Sequence, residues 1–119
     1  MKIAITIDGG SLEAPMDARF GRAKKFVLYE TETDSCVFLD NIQNLNAAQG
    51  AGIQAAQNVA AAGAEAVVTG HTGPKAFRVL DAAKIAVYHS EVRPVKEVLE
   101  AFKKGELKKA ASADVEGHW

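Results

Sequence analysis

The stretch AVVTGHTGPKAF, Ala66 to Phe77, decides how the chain folds. Ala66-Val67-Val68-Thr69 reads as a strand buried on both faces, because an apolar run this short and β-branched suits the interior of a parallel sheet. Gly70 ends it. His71, Thr72 and Gly73 form a short loop, and Pro74 opens a helix at the position where proline is favoured. A strand that passes through a tight loop into a helix is half of a βαβ unit. The free N–H groups of the helix start, the flanking glycines and Lys75 together suit an anion. The spacing is not that of the Walker phosphate loop, which needs G-x-x-x-x-G-K-[ST].

Working outward, Ile85–His89 is the next strand, and Val95, Val98, Leu99 and Phe102 recur at i, i+3, i+4 and i+7 in a third helix that Gly105 stops. On the N-terminal side, an alanine-rich helix runs from about Gly52 to Ala62, its small residues allowing close packing on a sheet. Before it, Lys2–Ile7 reads as a strand, and KFVLYE and CVFLDN, separated by TETDS, read as a hairpin. The order is β-β-β-α-β-α-β-α. It predicts a single-domain, three-layer α/β fold with a mixed five-stranded sheet over residues 1–107, followed by an aperiodic tail, 108–119. In such a sheet, ligands sit at the carboxyl ends of the parallel strands. The loops Asp8–Lys25, Gly70–Pro74 and His89–Pro94 are expected to meet there.

Composition narrows the functions. The chain has 119 residues, 48% of them hydrophobic and 24% charged, with a formal net charge of −1. No global basic field invites nucleic acid. No apolar run approaches the roughly 20 residues needed to span a bilayer, and the N-terminus does not read as a signal peptide, so a cytoplasmic location is expected. One cysteine, Cys36, allows no intrachain disulfide and no four-cysteine metal site. Its place in an apolar strand predicts a packed side chain. No G-x-S-x-G elbow or dinucleotide fingerprint occurs, and the fourth strand ends without the acid a two-metal nuclease needs. A non-enzymatic role is expected.

The candidate binding residues fall in two loops. RFGRAKK, residues 19–25, holds Arg19, Arg22, Lys24 and Lys25 with no acid, and its Phe20-Gly21 pair offers an apolar wall and close backbone approach. A basic run is often only a solvated surface. This one lies in the long first loop, on the side where Gly70, His71, Thr72, Gly73 and Lys75 emerge. His89 ends the fifth strand and faces the same mouth or merely closes the strand. Met16 offers a thioether to a soft metal, or fills a gap. Met16, His71 and His118 are the candidates for direct metal ligation. The terminal His118-Trp119 pair reads otherwise as a loose end.

MKIAITIDG, FGRAKKFVLYE, AVVTGHTGPKAFRVLDAAKIAVYHS and VKEVLEAFKKGEL together resemble the dinitrogenase iron–molybdenum cofactor biosynthesis family, which includes NifX-like carriers and the C-terminal domain of NifB. The resemblance runs from Met1 to about Leu107. Its most specific parts are Phe20-Gly21-Arg22 and the Thr69–Ala76 junction. It implies an RNase H-like fold and non-enzymatic binding, storage or delivery of an anionic metal–sulfur cluster, received from or passed to donor or acceptor proteins. Among small stand-alone members the chain looks most like the orange proteins, which carry a molybdenum–copper sulfide cluster without covalent attachment. That resemblance implies a molybdenum–copper sulfide or related molybdenum or iron–sulfur cluster, held at the basic and glycine-rich loops. The residues alone also admit a binding module for a phosphorylated metabolite or nucleotide at the same site, or a protein–protein interaction module.

Overall fold

The computed structural model of the protein describes residues 1–43 and 50–112. Part of the polar loop after the hairpin, and the tail bearing His118 and Trp119, lie outside them. The elements are β1 (Lys2–Ile7), β2 (Lys25–Glu30), β3 (Ser35–Asp40), α1 (Ala51–Ala61), β4 (Ala66–Thr69), α2 (Pro74–Ala82), β5 (Ala86–His89), α3 (Val95–Lys103) and β6 (Lys108–Lys109). The sheet order is β3-β2-β1-β4-β5-β6. β1, β4 and β5 are parallel neighbours; β2, β3 and β6 run antiparallel to the strands they flank.

Side-chain alternation along the strands builds two cores. Ile3, Ile5 and Ile7 point from β1 to one face and meet Val95, Val98 and Leu99 of α3. Ala4 points to the other, with Val67 and Val87, and meets Ala55, Ala56 and Val59 of α1 and Ala76 and Leu80 of α2. The result is three layers: α1 and α2, the sheet, and α3. The central strands are buried on both faces, as their apolar runs require. β4 has no exposed residue.

The expectation of five strands is corrected to six. After α3 the chain turns at Gly105, whose φ of 72° suits glycine, and Lys108 and Lys109 pair with His89 and Tyr88. Two lysines on an edge carry no apolar alternation, so nothing in the sequence marks them as a strand. The N–H of Ala110 then donates to the carbonyl of Val87 at 2.8 Å.

The long loop between β1 and β2 has little regular structure, yet it is pinned throughout. The N–H of Asp8 donates to Pro15 O, that of Met16 to Arg93 O, that of Asp17 to Thr6 O, and that of Val95 to Ala14 O, all at 2.9–3.0 Å. On its other side, His71 N–H donates to Ala18 O at 2.7 Å and Phe20 N–H to His71 O at 3.3 Å, a parallel bridge between Arg19 and His71. That bridge requires a glycine next to it. A Cβ on Gly70 would lie 2.7 Å from Ala18 O and 2.8 Å from Ala18 Cα, and backbone cannot give way as a side-chain tip can. Gly70→Ala is therefore expected to lower stability by about 1–3 kcal/mol through overpacking. Gly10→Ala, with open space around its Cβ, should cost almost nothing by comparison. Urea denaturation of both variants checks this, and equal midpoints would remove the close approach from the account.

Candidate functional site

The three loops expected to meet do meet, at the carboxyl ends of β1, β4 and β5. The Arg19–His71 bridge joins the first loop to the β4–α2 loop, and the Pro15–Pro94 bridge joins it to the β5–α3 loop. Beneath the junction, Thr6 Oγ1 lies 2.8 Å from Thr69 Oγ1 and donates to Asp17 O at 2.7 Å. Both threonines are buried, so the bonds satisfy groups that burial would otherwise leave costly. Thr72 is also buried, with Oγ1 3.0 Å from His89 Nε2. Thr72 and His89 thus tie the loop after β4 to the end of β5, a framing role.

A fourth segment joins the same end. Gln43, just after β3, donates through Nε2 to Gly21 O at 2.5 Å and to Ala51 O at 3.3 Å. Asn41 Nδ2 donates to Ala23 O at 2.7 Å, and Asn41 N–H to Lys24 O at 2.8 Å. The Arg19–Lys24 segment is thereby strung from His71 towards the start of α1. The starts of α1 and α2 lie side by side: a Cβ on Gly52 would sit 3.1 Å from Ala76 Cβ and 4.0 Å from Ala76 N.

These two helix starts share an electrostatic feature. Their N-caps are Gly50 and Gly73, with no side-chain cap hydrogen bond, and neither first turn holds an acid. α2 carries Lys75 there instead, a cation at the positive end of a helix dipole. α3, by contrast, has Glu97 in its first turn. Arg19, Arg22, Lys24 and Lys75 are exposed; Arg19 adjoins His71 and Lys75 lies in the first turn of α2. Lys25 is exposed as well and lies 3.6 Å from Asp40. Arg19 Nε is 3.7 Å from Asp17 Oδ1. Two helix starts without acids thus lie at the same end of the sheet as the exposed cations of the first loop.

Two expected ligand contacts are placed differently. Phe20 is 1% exposed, inside the core beneath α1 and α2. It anchors the loop and offers no wall to a ligand. Met16 is equally buried on the α3 face, so its thioether presents no surface. An irregular loop has no periodicity from which burial can be read, which is why both looked available. The loop is nailed to opposite cores by these two side chains. Gly21, Gly70 and Gly73 are buried, and His71 is half-buried with its backbone in the bridge. Gly70 permits the close approach of Ala18. Among the described residues, no three His, Cys, Asp or Glu side chains come together as a metal-ion site. Cys36 is half-buried and packs on the α3 face.

One cation was missed by sequence reasoning. Arg93, in the β5–α3 loop, has its Nε buried without a hydrogen bond, 3.9 Å from Glu91. Its membership of a loop already expected at the mouth was the available signal.

The comparisons with known proteins agree with this architecture. The sequence profile of the dinitrogenase iron-molybdenum cofactor family matches residues 1–105, and the chain belongs to that family. It is 32% identical over 111 residues to an uncharacterised protein of Methanocaldococcus jannaschii, covering 92% of this chain and 91% of the relative. Among solved structures, the apo form of the orange protein from Desulfovibrio gigas superposes with a TM-score of 0.89 at 38% identity, covering 96% of each chain. A putative NifB protein from Thermotoga superposes with a TM-score of 0.82 at 30% identity, covering 98% of each. No helix among the described residues is long and apolar enough to cross a membrane.

If Phe20 is an anchor, Phe20→Ala should lower stability by about 3–5 kcal/mol, the usual cost of removing a buried aromatic ring. Lys24→Ala, exposed in the same loop, should change it by less than about 0.5 kcal/mol. Thermal or urea unfolding reads both. A stable Phe20→Ala protein would return Phe20 to the surface.

Proposed function

We propose that the protein is a non-catalytic carrier that binds an anionic metal–sulfur cluster, of the molybdenum–copper sulfide class or a molybdenum or iron–sulfur relative, without covalent attachment. The observation that carries this reading is the pairing of two uncapped, acid-free helix starts beside the basic Arg19–Lys24 segment. Membership of the iron–molybdenum cofactor family and likeness to the orange protein support it.

The donor set suits such cargo. A thiometallate is large, polyanionic and soft. Arg22, Lys24 and Lys75 supply charge, and the first turns of α1 and α2 supply N–H groups that already point outward. Charge-assisted hydrogen bonds contribute roughly 1.5–3 kcal/mol each, so a few hold a ligand with no coordinating side chain. The absence of carboxylates from both first turns also avoids repelling the cargo. Cys36, on the far face of an edge strand, has no part in this. The three-layer sheet is read as RNase H-like, used here as a scaffold, and donor or acceptor proteins are the expected partners for loading and release.

Tetrathiomolybdate added with copper should form a coloured, stoichiometric complex that survives dialysis. Arg22→Ala and Lys24→Ala should each weaken it by roughly 5- to 150-fold, equivalent to about 1–3 kcal/mol. Lys104→Ala is the control, since Lys104 caps the opposite end of α3. Cys36→Ala should bind like the wild type. No retained colour, or an equal loss in Lys104→Ala, would defeat the carrier reading. Displacement by phosphate at matched ionic strength would point instead to a phosphorylated ligand at this anion site.

A further inference from the structure

The sheet has two edges, and they are built differently. β6 is two residues long and both are lysines, a blunted edge of the kind that resists pairing. β3 is six residues long, Ser-Cys-Val-Phe-Leu-Asp, with no proline and no lysine. Its four apolar residues are Cys36, Val37, Phe38 and Leu39, and not one of them is fully buried. Val37 is 56% exposed in the middle of the strand, and Ile42 just beyond it is 76% exposed. Alongside, between β3 and α1, runs a groove of about 510 Å³ walled by Phe26, Leu39, Ile42 and Asn58, with Lys25 at its rim. A long apolar edge that faces water invites another strand.

We propose that β3 is a dimerisation edge and that its occupant is β3 of a second copy of this chain, in antiparallel register. The charges select that geometry. The hairpin end of β3 carries Glu32, exposed, and Asp34, held by Tyr29 Oη and Lys103. The other end carries one acid, Asp40, which lies 3.6 Å from Lys25 and beside Lys24, so two cations there face a single carboxylate. Parallel pairing sets two acidic ends together. Antiparallel pairing brings the acidic end of each copy towards the basic end of the other.

Register follows from symmetry. A two-fold axis perpendicular to the sheet keeps each face on its own side, so it must pass through a residue pair of the same kind. Centred on Val37, it places Asp34 opposite Asp40. Centred on Cys36, it places Asp34 opposite Phe38. Centred on Phe38, it sets Val37 opposite Leu39 on the α1 face and Phe38 against its own copy on the α3 face, with no acid opposite another. That register joins two six-stranded sheets and leaves only the blunted β6 edges outside. The two anion mouths then point in opposite directions, and Val37, in the middle of the edge strand, belongs to neither, which lets its substitution separate dimerisation from anion binding.

Sedimentation equilibrium in the presence of a thiol reductant, over a concentration series, tests it. The wild type should reach twice the monomer mass. Val37→Lys should raise the dimer dissociation constant by on the order of tenfold or more, because the two-fold brings both lysines into one interface. Circular dichroism should confirm that this exposed substitution leaves the fold intact, and thiomolybdate–copper titration should give wild-type affinity. A wild type that stays monomeric up to its solubility limit, or a Val37→Lys protein that dimerises equally well, would overturn the assignment. So would a dimer that forms only when the reductant is left out and is lost in Cys36→Ala, since that identifies a disulfide rather than a sheet edge.

Discussion

A methyl group at position 70 would collide with the backbone of Ala18, and the packing of the loops at the carboxyl ends of the parallel strands depends on that position being glycine. Because Gly70 lets Ala18 in, His71 can exchange hydrogen bonds with both Ala18 and Phe20. That exchange carries the Arg19–Lys24 segment across the carboxyl ends of the strands. Met16 and Phe20, sunk into the two cores on either side of the sheet, then hold an otherwise irregular loop in one path. Ordering so long a loop carries a substantial entropy cost, and burial of these two side chains offsets part of it.

The same constraint sets the electrostatics. Once the loop is fixed, Arg19 lies beside His71 and Gly21 is tied through Gln43 to Ala51 at the start of α1, and the starts of α1 and α2 are themselves drawn together because Gly52 and Ala76 are small enough to touch. Helix starts without acids are ordinarily a missed opportunity for stability, on the order of 0.3–1 kcal/mol each. Here the omission occurs at both helices of one layer, while α3 keeps Glu97. A site that receives a polyanion gains from that arrangement what the free protein forgoes.

Much of this was legible in the sequence because it depends on local pattern. The β-branched runs at Lys2–Ile7 and Ala66–Thr69 and the i, i+3, i+4, i+7 spacing from Val95 to Phe102 each name their element. The meeting of the loops follows from the topology of parallel strands. What was not legible depends on tertiary contact. Phe20 and Met16 sit in a segment with no period, so their burial had no signature. Lys108 and Lys109 become a strand only because the chain returns beside β5. The small residues of α1 suggested close packing on the sheet, and part of that closeness proved to be with α2.

The central claim is that the anion is held between two helix starts and the basic loop. Amide chemical-shift mapping during titration of isotope-labelled protein with tetrathiomolybdate and copper tests it most directly. The account predicts that the largest changes fall on Arg19–Lys24, on the first turn of α1 and on His71–Ala76, with the C-terminal turn of α3 unmoved. Changes centred on β3 or on the end of α3, with the Gly73–Ala76 amides unaffected, would contradict it.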